Sequence, residues 1–255
     1  MCTLTWCKTP ERYDLFFNRD EKRSRRPGLP PSVFRKGNLS FLAPVDGDSG
    51  GSWMGVNEFG VSVAILNAYP AGFVDEEKPY VSRGLLLPEV IDARSSGDIE
   101  GRLRSLKLNS FRPFSLAVFG LNSSPSLFTW NGVELEVKPL SAERGILSSS
   151  SYLPEKVTGS RSEAFIQFSD RQWVDASVLR NFHCGHDSRR GAFSVCLHRQ
   201  DAKTVSFSWL SLSYQEGTFR YYPGSPCGIG NNPENEAHIL KLPIQLPQVL
   251  QRHAL

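Results

Sequence analysis

The sequence predicts an α+β layered domain rich in antiparallel strands, and three observations carry that expectation. Short alternating or β-rich runs recur along most of the chain, separated by Gly, Pro, Asn and Ser. Helical periodicity is confined to two regions. The resulting order (strands, two helices, strands, two helices, strands) suits stacked layers better than a βαβ repeat around a parallel sheet. At 255 residues, with no internal repeat and no long low-complexity linker, the chain reads as one domain over residues 1–255.

The elements follow in order. Thr3–Cys7 and Tyr13–Phe17 alternate and are joined by Lys8-Thr9-Pro10-Glu11, a hairpin signature. Ser52–Val56 and Val61–Leu66 form a second pair through Asn57-Glu58-Phe59-Gly60. Ser82 precedes a helical pattern over Leu85–Ala93 that Pro88 limits or kinks, and Asp98–Leu106 continues the helical region. Phe114–Phe119, Ser126–Trp130 and Val133–Val137 return to strand character. Ser162–Phe168 and Val174–Asn181 make the second helical pair, followed by strands at Phe193–Leu197, Val205–Leu212 and Thr218–Tyr222. A Pro-bearing tail begins at Pro233.

Apolar residues make up 40% and charged residues 22%, the balance of an ordinary globular protein. A net charge of +3 does not argue for nucleic acid. The basic cluster Lys22, Arg23, Arg25 and Arg26 lacks aromatic interleaving or a reading motif and is expected to be a solvated loop. No apolar run is long enough to span a membrane, so no integral membrane segment is expected. The N-terminus lacks a basic region followed by an apolar one, and the cysteines number five, at 2, 7, 184, 196 and 227. An odd count without a signal sequence points to free thiols in a reducing compartment, the cytoplasm.

The string Gly47-Asp48-Ser49-Gly50-Gly51 looks like the loop around a protease serine. The trypsin-like order needs His and Asp before Ser, yet the first histidine is His183. The α/β-hydrolase order places Ser on a turn from strand into helix, whereas a strand follows here. A calcium loop from Asp46-x-Asp48 fails as well, matching only the Gly of the required later positions. The stretch reads as a glycine-rich turn feeding a strand.

Cys2 is better placed as a nucleophile. Once an initiator Met is removed, a residue at position 2 carries thiol and free α-amine together. An α-amine with a pKa of roughly 8 takes up the thiol proton near neutral pH. If the first two strands pair, Asn18-Arg19-Asp20-Glu21 emerges beside residue 2, bringing an Arg to hold a thiolate and an Asp to orient the amine.

Met1-Cys2, Asn18-Arg19-Asp20-Glu21, Gly50-Gly51-Ser52-Trp53-Met54-Gly55-Val56-Asn57 and Ala64-Ile65-Leu66-Asn67 occur in this order. On these motifs the sequence resembles the NRDE family, which is named for its tetrapeptide and includes the transport-and-Golgi-organisation protein two. The resemblance is specific over residues 1–67. It thins through Gly145-Ile146-Leu147-Ser148 and Phe193-Ser194-Val195-Cys196-Leu197-His198. The family is similar to N-terminal nucleophile hydrolases of the choloylglycine and penicillin-acylase type. The resemblance implies a four-layer αββα sandwich of two stacked antiparallel sheets and attack on an amide carbonyl by Cys2. It makes Arg19 and Asp20 the positioning pair and Asn67 an oxyanion donor, with Asn18, Trp53, Ser149 and Arg190 expected to bind substrate.

Three features depart from the relatives. Arg19 and Asp20 are adjacent, so on an extended strand they point to opposite faces, and both reach the thiol only if the chain turns there. Ser149 stands where related sequences carry Asn. The late arginine, Arg189 or Arg190, is one position out of register. The stretch His183-Cys184-x-His186-Asp187 carries zinc-type ligands, and Cys196 and His198, alternate residues on one strand face, could contribute the second pair such a site needs; the stretch is read instead as a polar loop and no metal is assigned.

The expected function is an N-terminal-nucleophile amidohydrolase or acyltransferase acting on a small amide or thioester, without a cofactor. The alternative, from another class, is a non-catalytic carrier of a hydrophobic ligand such as haem or an acyl-CoA or lipid. No sequence feature indicates an oligomeric state.

Overall fold

The first hairpin forms as its alternation requires and lies inside a sheet, with a strand paired on either side. In the computed structural model, which describes residues 2–73, 77, 79–170, 175–186, 190–229 and 237–245, β1 (Cys2–Lys8) pairs antiparallel with β2 (Arg12–Lys22). β10 (Arg144–Ser149) flanks β1, and β11 (Ala202–Ser213) flanks β2. β12 (Glu216–Pro223) and β13 (His238–Pro243) complete a six-stranded sheet in the order β10-β1-β2-β11-β12-β13.

The second sheet is a seven-stranded meander, each strand beside the next in sequence: β3 (Leu29–Lys36), β4 (Leu39–Val45), β5 (Met54–Asn57), β6 (Val61–Asn67), β7 (Phe114–Gly120), β8 (Ser123–Trp130) and β9 (Leu135–Pro139). Every named strand pairing is antiparallel.

Period-two alternation assigns each strand face to a layer. On β1, Cys2, Leu4 and Trp6 enter the core between the sheets, as do Tyr13, Leu15 and Phe17 of β2. Met54 and Val56 of β5 and Ala64 and Leu66 of β6 meet them from the second sheet. The opposite faces are covered by helices. Phe16 packs with Phe165 of α3 (Pro154–Asp170) and with Leu179 and Phe182 of α4 (Ala176–His183). Val61, Val63 and Ile65 pack with Leu86, Leu87 and Val90 of α1 (Leu86–Val90) and Ile99 and Leu103 of α2 (Ser96–Ser105). The layers are therefore αββα, as the sequence and its resemblance imply.

Local chemistry sets the helix boundaries. Ser95 caps α2 by accepting from the Asp98 N–H at 3.1 Å, while the Asp98 carboxylate reaches back to the Arg94 N–H at 2.9 Å. Asp175 caps α4 through the Val178 N–H at 2.9 Å. The structure shows α1 as only five residues around Pro88, preceded by a 3-10 turn at Arg83–Leu85.

Some expectations shift. The strand expected at Phe193–Leu197 is a bent segment outside the ladders, and that expected at Val133–Val137 begins only at Leu135. The helix expected over Ser162–Phe168 extends to Pro154–Asp170. The helix expected from Val174 starts at Ala176; residue 174 lies outside the described residues. No helix among the described residues is long and apolar enough to cross a membrane.

Candidate active site

The register of the first hairpin puts Cys2 directly opposite Arg19, with Ser149 opposite Cys2 on the other side. β2 does not turn at the tetrapeptide but stays extended to Lys22, so alternation holds and Arg19 and Asp20 face different layers. Arg19 shares the inter-sheet side with Cys2. Asp20 and Asn18 face the helix layer.

On the inter-sheet side Arg19 is buried and bonded to Asp46, and its guanidinium stacks on the Trp53 ring at 4.4 Å. Asp46 also accepts from Arg25 at 2.6 Å. Its Oδ1 takes the Ser49 N–H at 2.8 Å, the Ser49 hydroxyl at 2.9 Å and the Asp48 N–H at 3.1 Å. The role of the Gly47–Gly51 stretch follows: it is an Asx-type turn in which Ser49 donates to a carboxylate. Burial pushes the Asp46 carboxyl up, but the Ser49 hydrogen bonds and the charges of Arg19 and Arg25 outweigh it, leaving it below the ordinary carboxylate value. Gly50 holds φ 70°, and a side chain at Gly51 would meet the Gly84 backbone at 2.4 Å.

On the helix side Asp20 accepts from the Thr204 hydroxyl at 2.6 Å and lies 3.4 Å from Nη1 of Arg161. Arg161 is fully buried and also donates to Thr3 Oγ1 at 2.8 Å and to the Ser194 carbonyl at 2.8 Å. Asn18 donates to the carbonyls of His183 and Val195, both at 3.0 Å. These bonds fix the strand that carries Arg19. The link from Asp20 to the thiol is its backbone N–H, which stabilises the Cys2 sulfur. Burial nevertheless raises the Cys2 thiol above its ordinary value, and the charges of Asp20 and Glu21 add to the rise.

Cys2, Arg19, Asp20, Trp53 and Asn67 line one cavity of about 690 Å³, together with Asp46, Tyr69, Arg83 and Arg112. Asn67, at the end of β6, donates to the Tyr69 hydroxyl at 3.2 Å. Tyr69, Arg83 and Arg112 also line an adjoining cavity of about 570 Å³, whose other walls include Ala68, Pro70, Phe73, Pro113 and Leu153. The lobe that contains the thiol is rich in charged residues among mixed walls; the other is mainly apolar. Among the described residues Arg19 Nη1, Trp53 Nε1 and Ser149 Oγ are buried with no hydrogen-bond partner.

Ser149 lies beside Cys2 in register but does not line the cavity, whose wall there is Ser151. Arg190 is exposed and outside the cavity lining, with its charge acting on His186 and His198. Asn18 lies behind the strand rather than in the cavity. Sequence reasoning missed Asp46, Arg161, Thr204, Tyr69 and Arg83. Only Asp46 carried a local signal, the Asp46-x-x-Ser49 spacing of an Asx turn.

Two stacked antiparallel sheets between helix layers, with a cysteine at the start of an interior strand, define an N-terminal-nucleophile-hydrolase-like fold. The chain belongs to the Transport and Golgi organisation 2 family, whose model matches residues 1–192. Among solved structures, it is similar to a Caenorhabditis elegans N-acylethanolamine-hydrolyzing acid amidase ortholog. That match has TM-score 0.59 and 11% identity, covering 96% of this chain and 100% of that one. A mutant conjugated bile acid hydrolase from Clostridium perfringens matches with TM-score 0.56 and 13% identity, over 95% of this chain and 92% of that one. Penicillin V acylase from Agrobacterium tumefaciens matches with TM-score 0.50 and 9% identity, over 95% and 86%. At these identities the likeness concerns the fold. No curated protein sequence matches significantly.

Proposed function

We propose that the protein is an N-terminal-nucleophile amidohydrolase or acyltransferase that uses Cys2, after removal of Met1, on a small amide or thioester. The observation that carries this reading is that the lobe holding the thiol adjoins an apolar lobe through the shared walls Tyr69, Arg83 and Arg112. Cys2, Arg19 and Asn67 line the lobe rich in charged residues, and Tyr69 and Arg83 connect it to an apolar lobe suited to an acyl group. The structural neighbours, which include an acid amidase and a penicillin acylase by name, support the same class of chemistry.

Met1 removal turns the Cys2 backbone nitrogen from an amide into an amine. The amine accepts the thiol proton as sulfur attacks the carbonyl carbon, and the carbonyl electron pair moves to oxygen. Asn67 donates to that oxyanion. Collapse breaks the C–N or C–S bond, the amine-held proton goes to the leaving group, and an acyl-thioester on Cys2 remains. Water or an acceptor nucleophile then releases the acyl group and restores the thiol. Arg19, fixed by Asp46 and Trp53, stands opposite Cys2 on the paired strand, and Arg83 is the cation whose charge couples to the sulfur. Asp20 acts through its N–H and through its buried contacts with Arg161 and Thr204, as a positioning residue.

The test is turnover of acyl amides and acyl thioesters of graded chain length by the processed chain. Cys2→Ala should abolish product release and covalent acylation while leaving the fold intact; unchanged turnover in that variant refutes the proposal. The second reading, a non-catalytic carrier for a hydrophobic ligand such as haem or an acyl-CoA or lipid, is favoured by the buried, raised thiol of Cys2. It requires ligand affinity without turnover, and an affinity insensitive to Cys2→Ala.

A further inference from the structure

Four potential metal ligands converge away from the cavity. His186 follows α4, Cys196 and His198 precede β11, and Cys227 sits in the 3-10 turn Pro226–Gly228 after β12. One ligand atom from each lies within 4.8 Å of the other three. Nε2 of His198 is 3.5 Å from the Cys196 sulfur and 3.3 Å from the Cys227 sulfur. Bonds of about 2.3 Å to sulfur and about 2.0 Å to nitrogen give a tetrahedral S···N edge of about 3.5 Å, so both separations match a shared metal. The His186 and His198 rings are 4.9 Å apart between centroids, and Nε2 of His186 is buried with no hydrogen-bond partner among the described residues. The sequence hides the set because Cys227 lies 29 positions beyond His198. Of the earlier candidates, His183 bonds Thr5 at 2.9 Å and Cys184 donates to the Pro226 carbonyl at 3.4 Å, while Asp187 lies outside the described residues.

We propose that His186, Cys196, His198 and Cys227 bind one zinc ion in a closed tetrahedral Cys2His2 site. Two thiols lose their protons to solvent as two S–Zn bonds form, and two neutral imidazoles complete the shell. Four protein ligands leave no open position for substrate, so the role is structural. Residues 190–197 lack ladder pairing, yet the Ser194 and Val195 carbonyls hold Arg161 and Asn18 behind the NRDE strand. Zinc pins this segment to the turn after β12 and thereby steadies the back of the candidate active site. Three of the four ligands lie beyond the 1–192 span of the family match, so the site is a feature of this chain's C-terminal third.

The test is metal analysis of the full chain, refolded or expressed with zinc and passed over a desalting column. About one zinc per chain is expected, falling at least about tenfold in Cys227→Ser and His198→Ala and unchanged in the neighbouring Cys184→Ala. Cobalt loaded into the wild-type chain keeps the proposal testable if those variants fail to fold. It should give the intense visible bands of a tetrahedral site with thiolate-to-metal charge transfer. A folded wild-type chain that retains no zinc, an octahedral cobalt spectrum, zinc kept by Cys227→Ser, or a Cys196–Cys227 disulfide in the zinc-supplied, reduced chain would each overturn it.

Discussion

Asp46 concentrates much of the residue-scale physics. It is the carboxylate partner of the buried Arg19, and Ser49 fixes its orientation through both backbone and hydroxyl. Asp46→Asn leaves Arg19 buried with a weakened partner and should cost about 3 kcal/mol at neutral pH by denaturant unfolding. The Asp46 carboxyl lies below its ordinary value of 3.8, so the unfolded chain binds its proton first as pH falls. Its contribution is full above that value and is lost as pH drops through the folded pKa, and the gap between wild type and variant should close there. Ser49→Ala removes one hydrogen bond to a charged group, about 2 kcal/mol of stability at most, and should leave turnover within a few-fold. Loss of activity as complete as that expected of Cys2→Ala would restore Ser49 as a nucleophile. The Gly-Asp-Ser-Gly-Gly resemblance to a protease loop thus gives way to a hydrogen-bond account that needs no catalytic serine.

At the scale of elements, the first hairpin and the β5–β6 pair were legible because their apolar alternation is strong and both lie inside sheets. β3, β10 and β13 occupy sheet edges, where one side has no partner and burial is partial. Their alternation is therefore weak, and β3 even carries Pro30 and Pro31, which an edge tolerates. The adjacency of Arg19 and Asp20 was legible as a conflict, but its resolution was not. Resolving it depended on Arg161 and Thr204, partners 141 and 184 residues away, which receive Asp20 on the far face. The glycine turn before β5 gives a separate prediction. Gly51 abuts the Gly84 backbone, which cannot move aside as a flexible side chain would. Gly51→Ala should cost about 2 kcal/mol in thermal or denaturant unfolding and slow Cys2 acylation, because the 3-10 turn beside Gly84 carries Arg83. Wild-type stability in this variant would show that the two segments separate freely.

For the whole molecule, the helix layer over the first sheet contributes an acid limit to stability. Burial, aided by the Arg161 charge, lowers the His183 pKa from 6.5 to about 3. The folded chain therefore keeps the imidazole neutral while the unfolded chain protonates it. The contribution is full above pH 6.5 and declines as pH falls toward about 3. His183→Gln should flatten the stability profile across that window, and parallel profiles would remove His183 as the cause. The four-layer arrangement was legible from element order and the ordered motifs of the first 67 residues. The two-lobed cavity was not, since its walls come from β1, β2, β6, the 3-10 turn at Arg83 and the segment after β10. Local patterns report which face of a strand is buried, but not which distant loops meet above it.

The central claim, that Cys2 is the nucleophile of an N-terminal-nucleophile site, is most directly tested by mass spectrometry of the chain isolated from its native host and treated briefly with an alkylating acyl probe near neutral pH. The account predicts an N-terminus at Cys2 and labelling there well ahead of Cys7, Cys184, Cys196 and Cys227. Full retention of Met1, or labelling of Cys2 no faster than the other four thiols, would contradict it.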